Sequence, residues 1–410
     1  MNFKENALRA FVIVAKRDQQ LFMAASRIYL DHNASAPLKP VARAAMLAAM
    51  ENNANPSSVH AEGRAARRVI EDARRDVAAL VNADPANVVF TSGATEAASW
   101  LLTPNWRMGR GKVAFGRLLV CAADHPATLN GGRFDQEKVT RIGVDHEGVI
   151  KLDELESAVR GTYFTDGRPL FALHLANNET GVIQPVADVR RVADVTGGSA
   201  VLVLDAVQAA GRVPLDLSQD GADFMILSSH KIGGPKGVGA VIGKGAIFMP
   251  EPMVRGGGQE HGHRAGTENV AAIAGFGAAA REALAQLGEM HKVAALRDRF
   301  EVAVKAAFND AVIFGGNAKR LPNTSFFAIP GMKAETLQIA FDLAGIALSA
   351  GSACSSGKVG PSHVLEAMGH GRYGGALRVS IGHETDEADL AAFEAALRGI
   401  AARRSKASAA

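Results

Sequence analysis

A chain of 410 residues, 48% hydrophobic and 21% charged, has the composition of a soluble globular protein with room for two or three packed units. Its net charge of +3, carried by dispersed basic residues, excludes the footprint of a nucleic-acid or anionic-membrane binder, and no apolar run approaches a membrane span. Two cysteines in unlike surroundings, Cys121 and Cys354, exclude a disulfide scaffold and favour a reducing, cytoplasmic setting.

Residues 1–27 read as an N-terminal extension. The apolar run Ala10 to Val14 is too short for a signal-peptide core, and Glu5 and Asp18 argue against a transit peptide. The extension is expected either to be disordered or to lie outside the native product, which would then start at Met23. A short strand at Tyr29 and a helix from Pro40 to Asn53 follow. Residues 58 to 82 form an amphipathic helix with Val69, Ile70, Val77, Leu80 and Val81 facing inward and its arginines and acids facing water.

Residues 87 to 102 read as strand, glycine turn, helix. That unit gathers the turn's free N–H groups, the positive helix end and the Thr95 hydroxyl at one spot, as an anion site or simply as a compact turn. Further strands end near Cys121, His174, Asp205 and Leu227, with helices at 153–160 and 186–197 between them. Strands alternating with helices predict an α/β layer with a largely parallel sheet, whose sites collect at the carboxyl ends of strands. His125, Asn178, Asp205 and Lys231 all fall just past such ends.

Near residue 285 the pattern changes. A long helix, broken near Gly288, leads to strands at 323–330 and 376–382, helices at 333–345 and 362–369, and a last helix at 386–404. The expected division is a small α+β unit from residues 28–40 and 285–400, a large unit from 41–284, and a flexible tail at 401–410.

Lys231 follows the apolar run Phe224 to Leu227 and precedes glycines 233, 234, 237 and 239. A lysine partly stripped of water there becomes an amine nucleophile able to form a Schiff base; the alternative is an ordinary surface lysine. The same glycines fail as a Walker loop, because Val238 and Gly245 occupy the positions of its first glycine and its hydroxyl residue. Asp205 ends the apolar strand Val201 to Leu204 and suits a protonated pyridine nitrogen, as in pyridoxal phosphate enzymes, or else caps the next helix. Gln208 is in reach of a ring oxygen. His125 can stack on such a ring and move protons, or be structural. Cys354 lies in the small-residue stretch 349–365, where a thiol can attack one partner and carry a group to another, or is incidental. His261 and His263 lack neighbours at ligand spacing, so no metal is expected. The glycines around them, with Arg264 and Thr267, suit phosphate or a subunit contact.

The ordered set YLDHNASAP, TSGATE, NNETGVIQPV, DAVQ, SSHKIGGPKGVGA, GGGQEHGHRAGTEN and GSACSSGKVGPSHVLEAMG resembles the cysteine desulfurases, NifS/IscS-like members of the class-V aminotransferase group. The resemblance implies a fold-type-I pyridoxal 5'-phosphate enzyme that acts as a homodimer. Its reaction converts L-cysteine to L-alanine, with sulfur passed through an enzyme persulfide to an acceptor such as an iron–sulfur scaffold protein. It implies that Lys231 holds the cofactor, Asp205 pairs with the pyridinium, Gln208 bonds the ring oxygen and His125 stacks as acid and base. Thr95, Ser228 and His230 then bind phosphate, with Ala94 and Ser229 beside them and Thr267 donated from the other subunit. Asn178 is an active-site asparagine, Arg378 grips the substrate carboxylate and Cys354 forms the persulfide. GTEN and GKVGPSHVL lean towards the nitrogen-fixation type. Two departures stand out: Asp124 precedes His125 where the group usually has Glu, and His383-Glu384 follow SIG where it commonly has an arginine. A selenocysteine lyase or other β-eliminating relative, and a non-catalytic sulfur-carrier subunit, are the competing readings.

Overall fold

The computed structural model describes residues 27–165, 168–196, 200–245, 248–351 and 361–409. At its centre is a seven-stranded sheet. In chain order the strands are β1 (Val88–Thr91), β2 (Arg117–Cys121), β3 (Val139–Ile142), β4 (Pro169–His174), β5 (Val201–Asp205), β6 (Phe224–Ser228) and β7 (Gly239–Gly243). In space they run β1-β7-β6-β5-β4-β2-β3. The pairs from β6 through β3 are parallel, and β7 is antiparallel to both β6 and β1.

These segments form strands because their apolar runs are covered on both faces. Phe90, Leu119, Phe171, Leu202, Met225 and Ala240 point to one face. There they meet the helices α1 (Pro40–Met50), α2 (Ala61–Leu80) and, later in the chain, α6 (Val270–Gln286). Alternate residues Val89, Leu118, Leu170, Val203, Ile226 and Val241 point to the other face, against Ala97, Trp100 and Leu101 of α3 (Ala94–Leu101). Helices α4 (Leu152–Thr165) and α5 (Val186–Ala193) join the first of these cores. Continuous apolar runs buried on both sides are what a parallel sheet requires.

A second core surrounds a four-stranded antiparallel sheet of β8 (Val312–Ile313), β9 (Thr324–Ala328), β10 (Ser349–Ala350) and β11 (Leu377–Ser380). Helix α7 (Met290–Ala307), separated from α6 by a 3₁₀ turn at Leu287–Glu289, packs on it with α8 (Ala334–Leu343) and α9 (Glu387–Ala409). Leu30 joins this core, and Ile28–Tyr29 pairs with Ile346–Ala347, so the start of the described chain lies with its end.

Two expectations fail. The tail is not loose: α9 continues to Ala409, and Arg404 pairs with Asp310 at 2.8 Å. Nor do all the charged residues of α2 face water, for Arg74 is 1% exposed and held by Glu260. The 1–26 extension and Cys354 lie outside the described residues.

Candidate active site

The carboxyl ends of β2, β4, β5 and β6 open onto one cavity of about 540 Å³. Lys231 reaches it from a single 3₁₀ turn, Ser229–Lys231, at the end of the fully buried β6. Its Nζ donates to the carbonyls of Asn33 (2.6 Å) and Ala34 (3.0 Å). Asp205 is the last residue of β5. One carboxylate oxygen accepts the Val207 N–H at 3.0 Å, and burial raises the carboxyl above its usual range against that bond and the His125 charge. The residues after Asp205 form a turn and not a helix, so its carboxylate closes that turn and lines the cavity, and the helix-cap alternative does not hold.

His125 heads the short helix Pro126–Leu129, and its Nδ1 accepts the Ala127 N–H at 3.2 Å. In the neutral ring this bond leaves the proton on Nε2. Beneath it, Asp124 accepts three N–H groups: the Cys121 and His174 amides, each at 2.9 Å, and His174 Nδ1 at 2.5 Å. The Gln184 oxygen accepts the Ile150 N–H at 2.9 Å, so its nitrogen faces His174 Nε2, 3.0 Å away. Cys121, Asp124 and His174 could be mistaken for a metal triad, since their ligand atoms lie within 4.8 Å of one another. The carboxylate oxygens a cation would need are already engaged, and the cluster works as a hydrogen-bonded floor.

The opposite end of the cavity is rich in donors. The α3 N-terminus, Thr95, Ser228, His230 and Lys236 line it. The start of β7 closes directly on the Ser92-Gly93 turn: a Cβ at Gly239 would stand 2.8 Å from Gly93 Cα and 2.7 Å from the Leu227 carbonyl oxygen. Burial, then the charges of Lys231 and Lys236, lower the His230 pKa to about 4. At neutral pH this histidine is an uncharged donor, and the cation beyond Lys231 is Lys236.

The aminotransferase class-V profile matches residues 28–393. This chain belongs to the class-V aminotransferase family. A cysteine desulfurase of Cereibacter sphaeroides is 39% identical over 377 residues, covering 89% of this chain and 93% of that one. A NifS-like protein from Rickettsia africae superposes with a TM-score of 0.79 at 30% identity, covering 91% of this chain and 99% of that one. SspA, solved in complex with cysteine, superposes with a TM-score of 0.70 at 26% identity, covering 86% and 98%. The large helix-flanked sheet with its smaller α+β unit is the fold-type-I architecture of class-V aminotransferases.

Within that family frame, nine of the expected residues share the cavity wall: Ala94, Thr95, His125, Asn178, Asp205, Gln208, Ser228, His230 and Lys231. Ser229 does not, which corrects its expected place. Ser228, His230 and Lys231 line the cavity, whereas Ser229 is fully buried away from it, with its N–H donated to the Val238 carbonyl. Arg378 lies behind the wall, its guanidinium donating to the Asn178 carbonyl (2.9 Å) and to Asp31 (2.8 Å). Thr267 lines a neighbouring cavity of about 250 Å³ that shares Ser92 and Gly237 with the first. The sequence reading missed Lys236, Glu96 and His174. Lys236 had a signal as the second lysine of HKIGGPK; Glu96, which accepts from Ser92 N–H at 2.8 Å and Arg264 at 3.0 Å, sits inside TSGATE.

Proposed function

We propose that this chain is a pyridoxal 5'-phosphate-dependent cysteine desulfurase, working as a cytoplasmic homodimer. It takes sulfur from L-cysteine, releases L-alanine and leaves a persulfide on Cys354 for a sulfur acceptor, such as a scaffold that builds iron–sulfur clusters. The carrying observation is that an amine, a carboxylate and an imidazole, from residues 231, 205 and 125, line one cavity that also holds the hydroxyls of Thr95 and Ser228, the His230 imidazole and the Lys236 ammonium, with the Glu96 carboxylate engaged by Ser92 N–H and Arg264. The cysteine bound to SspA supports the substrate.

The donor set fits the cofactor. Its phosphate would take the α3 N-terminus with Ala94 beside it, Thr95, Ser228, neutral His230, Lys236 and Thr267 of the partner subunit. Lys231 would hold its carbonyl carbon, Asp205 would keep its pyridine nitrogen protonated and Gln208 would meet its ring oxygen. When bound, the cofactor supplies an electron sink for the pair left on the substrate α-carbon. The chain's own residues do the rest. Lys231, as an amine, and His125, through Nε2, would carry protons. Arg378 and Asn178 orient the carboxylate end. The Cys354 thiolate attacks the substrate sulfur, so that an S–S bond forms as the C–S bond breaks. The electron pair stays with carbon and protons complete the methyl group, which balances L-cysteine plus thiol against L-alanine plus persulfide. For the division of 28–40 with 285–400 against 41–284, the core built from Leu30 and residues 290–400 is the supporting observation, while Phe314, Leu321, Phe326, Val364 and Leu365 pack across that boundary into the core of the large unit.

The test is an absorption spectrum with added pyridoxal phosphate, followed by an alanine assay with L-cysteine. Cys354→Ala is expected to keep the lysine-linked visible band and to lose alanine formation by about 10³-fold or more. Undiminished turnover in that variant would overturn the persulfide route, and a colourless wild-type sample would overturn the cofactor.

A further inference from the structure

We propose that Arg212 is a positioning residue that locks the Gln208 amide with an N–H toward the cavity, backing that wall with an uncompensated positive charge. The inference rests on the proposed function, because it concerns the wall that would meet the cofactor's ring oxygen.

A glutamine amide can rotate its oxygen and nitrogen into each other's places, so its neighbours must decide what it presents. Here two neighbours decide the same way. Arg212 Nη1 donates to Gln208 Oε1, and Gln208 Nε2 donates to the Asn33 carbonyl at 3.0 Å. A guanidinium cannot accept and a carbonyl cannot donate, so the flipped amide would lose both bonds. The oxygen is thereby consumed, the nitrogen keeps a second N–H, and Gln208 lines the cavity. That wall selects an acceptor and favours an anionic one.

Arg212 also holds the lysine turn. Nη1 donates to the Gln208 carbonyl at 2.8 Å and Nη2 reaches the Lys231 carbonyl at 3.4 Å. Gln208 Nε2 and Lys231 Nζ share the Asn33 carbonyl as acceptor. One fork thus ties the amide and the backbone that carries the amine through two nitrogens held in a rigid plane, a geometry that the single nitrogen of a lysine does not reproduce.

The partners of this buried guanidinium are neutral oxygens. Burial, and then the like charge of Arg378, lower its pKa to about 9, so it remains charged at neutral pH. Arg378, Lys231, Lys39, His32, His383 and Glu384 are the titratable groups on its side, and Arg212 makes its hydrogen bonds to the Gln208 and Lys231 oxygens. Around the cavity stand Asp205, His125, His174, His230, Lys236 and Glu96. A charge buried at such cost with no carboxylate bonded to it supplies a field.

The experiment titrates the visible band of the lysine-linked cofactor against pH in wild type, Arg212→Met and Arg212→Lys. Losing a donor and a nearby positive charge destabilises an anionic ring oxygen, and the protonated form persists to higher pH. R212M is expected to raise the midpoint by about one pH unit, and R212K, which keeps the charge and loses the fork, by less in the same direction. A role confined to stability would move unfolding and leave this midpoint alone. Should R212M not fold, the R212K titration decides. Unshifted or lowered midpoints overturn the inference alone, whereas a wild-type protein with no such band overturns the cofactor reading and this inference with it.

Discussion

Arg74 and Arg212 are both buried, and they solve the cost of burial in opposite ways. Arg74, on α2, meets Glu260 through two bonds of 2.8 Å, donates to the Val88 carbonyl at 2.6 Å and lies over the Phe90 ring. Glu260 also accepts the Phe90 N–H at 2.8 Å. Burial pulls the Arg74 pKa down, yet the carboxylates of Glu260 and Glu71 more than reverse it, and the net direction is up. Arg212 meets only carbonyl and amide oxygens, and its pKa falls. The paired arginine is an electrically neutral rivet joining α2 to β1. The unpaired one keeps a net charge beside the cavity, and that difference separates a residue kept for stability from one kept for its field.

Glu260→Gln should give the largest stability effect, because it strands a buried guanidinium. The expected loss is about 3–5 kcal/mol, read from the urea unfolding midpoint, with the pH midpoint of the visible band unchanged. A shifted band would break the comparison by showing that this distant pair also reaches the cavity electrostatically.

Histidines answer the same burial by shedding the proton. His32 and His230 both have pKa values lowered to about 4, chiefly by desolvation. Between about 6.5 and 4 the unfolded chain binds protons that the folded chain refuses, so their stabilisation is complete above that window and lost as pH falls through it. For the nearly inaccessible His32 the slope is at most about 1.4 kcal/mol per pH unit. Unfolding midpoints between pH 7 and 4.5 should fall with acidification, and His32→Asn should flatten the fall. An unchanged slope in that variant would mean that His32 is charged when buried, as Arg212 is.

The sheet and most of the cavity were legible because strand periodicity and strand ends are local signals. Asp205, His125 and Lys231 each sit where a buried run stops, and a parallel sheet brings such stops together. What escaped depended on distant partners or on single-residue direction. Arg74 lies between Ile70 and Val77 on the inward stripe, four residues after one and three before the other, but its partner is 186 residues away. Ser229 differs from Ser228 and His230 only by the turn of a 3₁₀ segment. The C-terminal helix runs past its apolar pattern to Ala409, and the pairing of Arg404 with the distant Asp310 carries no local signal. The roles of Arg378 and Thr267 came from resemblance, and the geometry puts neither on the main cavity wall.

The smallest effect is the sharpest control on the arginine comparison. Arg75 is the next residue of α2 and has an acid three residues back, Asp72, as Arg74 has Glu71. The two arginines share residue type, helix and local pairing, and differ in face: the Arg75 and Asp72 side chains are 60% and 52% exposed. Water already solvates both charges, so their attraction is weak and ordering two long side chains offsets most of it. Arg75→Ala should therefore change unfolding stability by less than about 0.5 kcal/mol. A loss comparable to that of Glu260→Gln would mean that pairing along the helix, rather than burial, sets the cost, and the contrast between Arg74 and Arg212 would lose its physical basis.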